Sequence, residues 1–415
     1  MKKNNEQKGI TLVALVITII ILLILAGISI SALSNQGLFE KAKEARKKSE
    51  DAQKNESVIL ENYLAQMNSI TFSNVNKNET NPEAAMPKGA IVIEGNANKG
   101  IVIKDINDNE WTWVEVPKTT VFKTATKANE YEQIKADLIE YAKDYREGKE
   151  EQEVNCQDEW YEGCGIVAES GKSGEKIYTE MYNKMLSSVY TNGGFWISRY
   201  EIGDSTATSN DITRISDSGI KGTPVSKPNQ IPYNYVTCSQ AQNLSGGLST
   251  DSGKTSSLLF GIQWDLTCKF IETKATLTKK DIKADSTKFG NYKNNSITLS
   301  RGKYNTNPKS SGGKWLSYEI NTDNYVINSQ TSNNANYMQL LTTGASEQTN
   351  IMNIYDFAGN VWEWTLAHVT SDAQHPCSMR GGSLDNNSSG APISCYYNTS
   401  TVDSYYPFGF RVALY

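Results

Sequence analysis

An apolar run without a single charge, ITLVALVITIIILLILAGISI at residues 10–30, constrains this chain more than any other feature. A helix needs ~20 such residues to cross ~30 Å of hydrocarbon. Lys2, Lys3 and Lys8 precede the run, a charge bias that keeps the N-terminus inside and sends the rest outward. A cleavable secretory signal has a shorter apolar region and a small-residue cleavage site, so the expectation is a retained single transmembrane helix over 10–33. Residues 34–68 then read as a charged helical stalk. Leu38, Ala42 and Ala45, and later Leu60, Leu64 and Met67, recur at helical spacing, and Glu44 and Lys48 are placed to pair at i,i+4. Residues 69–88, with four Asn and two Pro between Asn74 and Pro87, read as a flexible linker.

The junction Lys8-Gly9 followed by Ile10-Thr11-Leu12 resembles that of type IV prepilins and pseudopilins. The resemblance implies a leader at 1–9, removed by cleavage after Gly9 so that Ile10 becomes the new N-terminus. Ala14 stands where that family usually carries Glu, which counts against filament assembly with pilin-like subunits but not against processing.

The remainder, 89–415, is very polar. Mean hydropathy is -0.50 even with the apolar run included, and the net charge of -5, without a basic stripe, argues against nucleic acid as a partner. The two histidines, His368 and His375, exclude any multi-histidine metal site. Cys156, Cys164, Cys238, Cys268, Cys377 and Cys395 form no C-x-x-C pair, which argues against a zinc ribbon or redox motif. Their even number permits disulfides, Cys156–Cys164 and Cys377–Cys395 being nearest in sequence, and isolated half-buried thiols satisfy it equally. AIVIEG, GIVIKD and EWTWVEVP read as strands, the first two joined through Asn96-Ala97-Asn98. Helices are expected at 128–145, with Tyr131, Ile134, Leu138, Ile139 and Tyr141 on one face, and near 175–189. Together these describe an irregular α+β domain without parallel βαβ alternation.

Within it, GGFWISRYEIG from Gly193, Trp264-Asp265, GNVWEW from Gly359, Arg380-Gly381-Gly382-Ser383 and Gly409-Phe410-Arg411-Val412 follow one another. Trp362 and Trp364 alternate with Glu363, so on a strand they share one buried face. Arg380 and Arg411 are suited to lock buried carboxylates with bidentate geometry. The succession resembles the formylglycine-generating enzyme (sulfatase-modifying factor) family, whose domain is a variant of the C-type lectin fold. The resemblance implies that fold over 89–415, and that Asn360 and Glu363 help hold a structural calcium, a hard cation that takes oxygen ligands. It does not carry the activity over. The reactive cysteine pair expected shortly after the RGGS turn is missing from Leu384-Asp385-Asn386-Asn387-Ser388-Ser389-Gly390-Ala391, the three-histidine iron site of related enzymes cannot be built, and no Gly-x-Ser-x-Gly elbow occurs. No catalytic residue and no required cofactor are expected.

Residues 384–408, LDNNSSGAPISCYYNTSTVDSYYPF, hold no Lys, Arg or Glu. Paired tyrosines among small polar residues are the composition of antibody binding loops, where Tyr supplies contact area and Ser, Asn and Gly adapt their hydrogen bonds. The placement between an RGGS-like turn and a GFR-like strand resembles the variable proteins of diversity-generating retroelements. Adenine mutagenesis of Asn codons yields the residue types abundant here. The expected ligand contacts are Asp385, Asn386, Ser388, Ser389, Ala391, Ile393, Cys395, Tyr396, Tyr397, Asn398, Ser400, Asp403, Tyr405 and Tyr406. The expected protein is membrane-anchored, its C-terminal domain outside the cell, binding an extracellular protein or glycan. A minor pilin-like adhesin subunit and an active oxidoreductase are the alternatives.

Overall fold

The computed structural model describes residues 12–415 apart from 36–37, 73, 151, 153–154, 208–221, 250, 252, 306–307, 309–313, 319–325 and 329–337. Lys2, Lys3, Lys8, Gly9 and Ile10, with the leader and its cleavage point, lie outside the described residues.

Two units divide the chain, residues 1–66 and 67–415. In the first, the apolar run forms helix α1 (Leu12–Asn35), and α2 (Leu38–Phe72) follows. The large apolar side chains described on α1, from Leu15 to Ile28, are all exposed, at 47–66%. Among the described residues no helix is long and apolar enough to cross a membrane; side chains of α1 are described only over 15–28. On α2, Lys48 pairs with Glu44 at 2.8 Å, as the spacing predicts, both groups being exposed.

Of the stretch expected as a linker, 69–88, the part from Asn74 onward is instead packed into the second unit. Thr80 accepts the Trp113 indole N–H at 2.9 Å and donates to the Gly193 carbonyl at 2.8 Å, while Trp196 donates to the Ala85 carbonyl at 3.2 Å. Asn76 closes a turn, Asn81 caps the start of the short helix Pro82–Ala85, and the Asn81 N–H is held by the distant Asn192 carbonyl at 2.6 Å. Gly193 itself closes a helix in the left-handed region (φ 67), and a Cβ there would stand 2.1 Å from the Glu79 carbonyl oxygen. Only glycine allows that approach.

Two helices appear where the periodicity predicts them, α3 (Tyr131–Arg146) and α4 (Gly174–Asn192). Strands β1 (Ile91–Glu94), β2 (Val102–Lys104), β3 (Glu110–Glu115) and β4 (Gly194–Ser198) form an antiparallel series. After α5 (Cys238–Gly246) come β5 (Ser256–Leu258) and α6 (Gly261–Lys274). The first two backbone N–H groups of α6 are satisfied by Asp158, which accepts from Gly261 at 2.6 Å and Ile262 at 3.1 Å. A short helix, α7 (Lys279–Lys283), precedes the second sheet.

That sheet holds β6 (Trp362–Val369), β7 (Cys377–Arg380), β8 (Tyr396–Thr399) and β9 (Phe408–Phe410) in the order β8-β7-β6-β9, with the two-residue strand Cys156–Gln157 also paired to β6. The β6–β9 pairing is parallel, Trp362 facing Phe408. The last strand, β10 (Val412–Leu414), leaves this sheet and inserts between β4 and β5 of the first. The chain end therefore ties the two sheets together. Trp111, Trp196, Trp264 and Trp364 are fully buried in the shared core. The result is the expected α+β class. All six cysteines are buried and free, so neither of the two nearest pairs is bonded.

Candidate functional site

Three buried polar clusters hold the C-terminal segment in place. In the first, Arg411 closes on Glu363 through Nε, 3.2 and 3.0 Å from the two carboxylate oxygens, and Nη2, 2.9 Å from Oε1. Its remaining N–H groups reach the Ser198 carbonyl at 2.8 Å and the Tyr355 carbonyl at 2.7 Å. Arg411 thus joins β4, β6 and β10 from one buried point. Burial pushes the Glu363 carboxyl up to about 7, against the pull of Arg411. Burial likewise raises Glu201, with repulsion from Asp356 and Glu363 adding to it, and raises Asp356 against the Gly344 N–H and the Thr349 hydroxyl.

In the second cluster, Asn360 adopts φ 56, unusual for a residue with a Cβ. Its Nδ2 donates to Glu201 at 2.6 Å, and its Oδ1 accepts from Asn291 Nδ2 and the Leu341 N–H, both at 3.0 Å. Asn360 and Glu363 do not fit the calcium role the resemblance implied. Their oxygens are turned to N–H donors, and among the described residues no cluster of His, Cys, Asp and Glu is arranged to hold a metal. Sequence reading fails here because the donors, Asn291 and Arg411, lie far away along the chain.

In the third, Arg380 donates to Asp265 at 2.9 Å, Arg146 donates to the same carboxylate at 3.2 Å, and Arg146 also pairs with Asp158 at 3.0 Å. The Arg380 guanidinium lies over the Tyr396 ring, 3.7 Å from its carbon to the ring centroid. Both arginines meet buried carboxylates as expected, but only Arg411 does so through two nitrogens; Arg380 reaches Asp265 through Nη2 alone. Asp265 and Glu201 were legible as members of quoted motifs, but nothing in the sequence singled out Asp158.

The expected contact residues separate into two groups. Ser388, Ala391, Ile393, Cys395, Tyr396 and Tyr406 are buried, contrary to their expected role as ligand contacts. Ser388 donates to Asp285 at 2.6 Å, the Ile393 carbonyl accepts the Trp264 indole N–H at 3.0 Å, and the Tyr406 hydroxyl bonds Asp385. Asp385, Asn386, Ser400 and Asp403 are half-buried, and Ser389, Tyr397, Asn398 and Tyr405 are exposed. The exposed rings share a platform: Tyr397 stacks on Trp362 at 5.4 Å, and Tyr405 lies 5.7 Å from Phe408. Val402, 76% exposed, was not among the expected contacts. Gln152 also escaped notice; its side-chain amide accepts from the Tyr396 N–H at 3.1 Å and donates to the Tyr396 carbonyl at 2.8 Å, in the manner of a neighbouring strand.

Helix α7 supports the segment from below. The Ser394 N–H bonds the Ile282 carbonyl at 3.2 Å, and Ser286 links the Asp281 carbonyl (2.8 Å) to the Ile393 N–H (3.0 Å). Burial alone would raise the Asp281 carboxyl, but the Lys288 ammonium at 2.7 Å and the Thr278 hydroxyl and N–H bring it down to about 2. The ordinary value is 3.8, so this stabilisation is complete above 3.8 and is lost as pH falls through about 2. Asp281→Asn is therefore expected to lower stability at neutral pH and to flatten the acid limb, as read by urea denaturation at a series of pH values.

The site is thus an aromatic face without lysine, arginine or glutamate, on a segment pinned by buried ion pairs, and among the described residues no group of His, Cys, Asp and Glu is arranged to hold a metal. Residues 295–415 match the family described as the sulfatase-modifying factor enzyme 1-like domain, in agreement with the resemblance read from the GNVWEW, RGGS and GFR motifs. Among solved structures, variable protein 1 of Treponema denticola aligns at 13% identity and a TM-score of 0.26, over 53% of this chain and 95% of that one. The CarF structure aligns at 13% identity and a TM-score of 0.20, over 73% of this chain and 85% of that one. No curated protein matches.

Proposed function

We propose that this is a membrane-anchored, surface-displayed, non-catalytic ligand-binding protein. In this reading α1 spans the membrane once and the unit from residue 67 onward stands outside the cell. Its C-terminal face is the variable surface of a diversity-generating retroelement protein, and it takes an extracellular protein or glycan. The observation that carries the reading is the division within 384–408. Tyr397, Asn398, Val402 and Tyr405 face solvent while their immediate neighbours are locked to a buried frame. Rigid aromatic contacts on a fixed scaffold bind with little loss of side-chain freedom. The missing cysteine pair supports a non-catalytic role.

Sequencing the 3′ end of the gene across a population, with its genomic neighbourhood, tests this. Substitutions are expected at Asp385, Asn386, Ser389, Tyr397, Asn398, Ser400, Asp403 and Tyr405, beside a reverse transcriptase and a template repeat. Uniform 3′ ends with no such neighbour would return the chain to a fixed-specificity adhesin. Carbonate-resistant membrane association, with N-terminal sequencing for a start at Ile10, tests the anchor and the cleavage after Gly9. A purely carbonate-soluble protein would remove the anchor from the reading.

A further inference from the structure

Three thiols meet beneath the second sheet. Cys238, the first residue of α5, holds its sulfur 3.4 Å from the Tyr161 hydroxyl and 3.8 Å from the Thr365 carbonyl of β6. Cys377 opens β7 opposite His368 of β6, and the His368 ring stacks on Tyr161 at 5.0 Å. Cys377 thus lies beside the same tyrosine, and the Cys238 and Tyr161 side chains are the neighbours that lower its thiol. Cys164 is the third thiol of the group, and none of the three sulfurs is reached by solvent.

The two bonded thiols are unequal. Hydrogen bonds from Cys238 and then Tyr161 hold the Cys377 thiol below its ordinary value, while Cys238 is pushed well above, by that same bond to Cys377 first and by burial next. A thiolate is the nucleophile in disulfide exchange. Cys156 and Cys395, by contrast, are pushed up to about 12 and about 11 by burial, which keeps them as thiols.

We propose that Cys238 and Cys377 are a disulfide-forming pair, closed by exchange with a small external disulfide such as oxidised glutathione. The Cys377 thiolate attacks one sulfur of the external disulfide, breaking its S–S bond and releasing one thiolate, which takes a proton. Cys238 then gives up its proton and attacks the Cys377 sulfur, releasing the second thiol. Two protein thiols and one external disulfide become one protein disulfide and two external thiols, and two electrons pass to the external disulfide. Because both sulfurs are buried, the exchange runs during folding or through local opening. The bond ties α5 to the sheet that carries Tyr397, whatever that face binds.

The test uses the full-length protein in detergent, refolded with oxidised glutathione, alkylated under denaturing conditions and mapped by mass spectrometry. The expected product is a Cys238–Cys377 cross-linked peptide two hydrogens lighter than its reduced parts, the other four cysteines alkylated. The melting temperature should fall on reduction of the wild type, and Cys377→Ser, treated identically, should show no such shift. Six alkylated thiols after oxidative refolding, or a bond that recruits Cys164, would overturn the proposal. The mapping is read on the wild type and so holds even if the variant fails to fold.

Discussion

Arg411→Met is expected to lower the stability of the second unit by about 3–5 kcal/mol at pH 8, read as a shift in the denaturation midpoint. Removing one partner of a buried pair costs this much because the other charge stays behind without compensation. Here the loss is compounded: the Glu363 carboxylate, the Ser198 carbonyl and the Tyr355 carbonyl all lose their donor together. The cost should depend on pH. Burial raises the Glu363 carboxyl to about 7 from an ordinary 4.5, so its protonated form is favoured in the folded protein. That contribution to stability is complete below 4.5 and is lost as pH rises through about 7. Without Arg411 the carboxyl rises further, and a protonated Glu363 needs no counter-charge. The penalty is therefore expected to shrink toward pH 5 and to be largest above 7. A penalty that does not change with pH would mean that packing around the methionine, not charge, sets it.

The legible parts of the molecule were those decided by local pattern. The period of apolar residues marks α3 and α4, short apolar runs between turns mark β1 to β3, and Trp362 and Trp364 are buried on β6 as expected, although Glu363 between them is buried too. What could not be read depends on partners distant in the chain. Residues 69–88 have a linker's composition but are held by Trp113 and Trp196. Asn360 and Glu363 are oxygen-bearing residues of the kind calcium takes, yet Asn291, Leu341 and Arg411 occupy those oxygens. Between residues 384 and 407 only Tyr396–Thr399 is a strand, so no period announces which side chains turn inward. Composition identifies such a loop as suited to binding; only the fold distributes its residues between frame and face.

The adjacent tyrosines of β8 give the sharpest test of that distribution. Tyr396→Ala is expected to cost about 3–5 kcal/mol, the range for emptying an aromatic site in a core. The ring is 4% exposed and covers the Arg380 guanidinium at 3.7 Å, and a desolvated contact of that kind adds ~2 kcal/mol by itself. Tyr396→Phe keeps the ring and drops only a hydroxyl that has no hydrogen-bond partner among the described residues, so it should change stability by less than ~0.5 kcal/mol. Tyr397→Ala should also stay within ~1 kcal/mol, because the ring is 46% exposed and contributes mainly through its stack on Trp362. A ligand captured by the wild type should nevertheless be lost on Tyr397→Ala combined with Tyr405→Ala, while Tyr396→Phe retains it. Natural variants should then keep an aromatic residue at 396 and exchange 397 freely. Variation at 396 as free as at 397 would show that the guanidinium can be covered in other ways, and would remove the division between frame and face on which the binding reading stands.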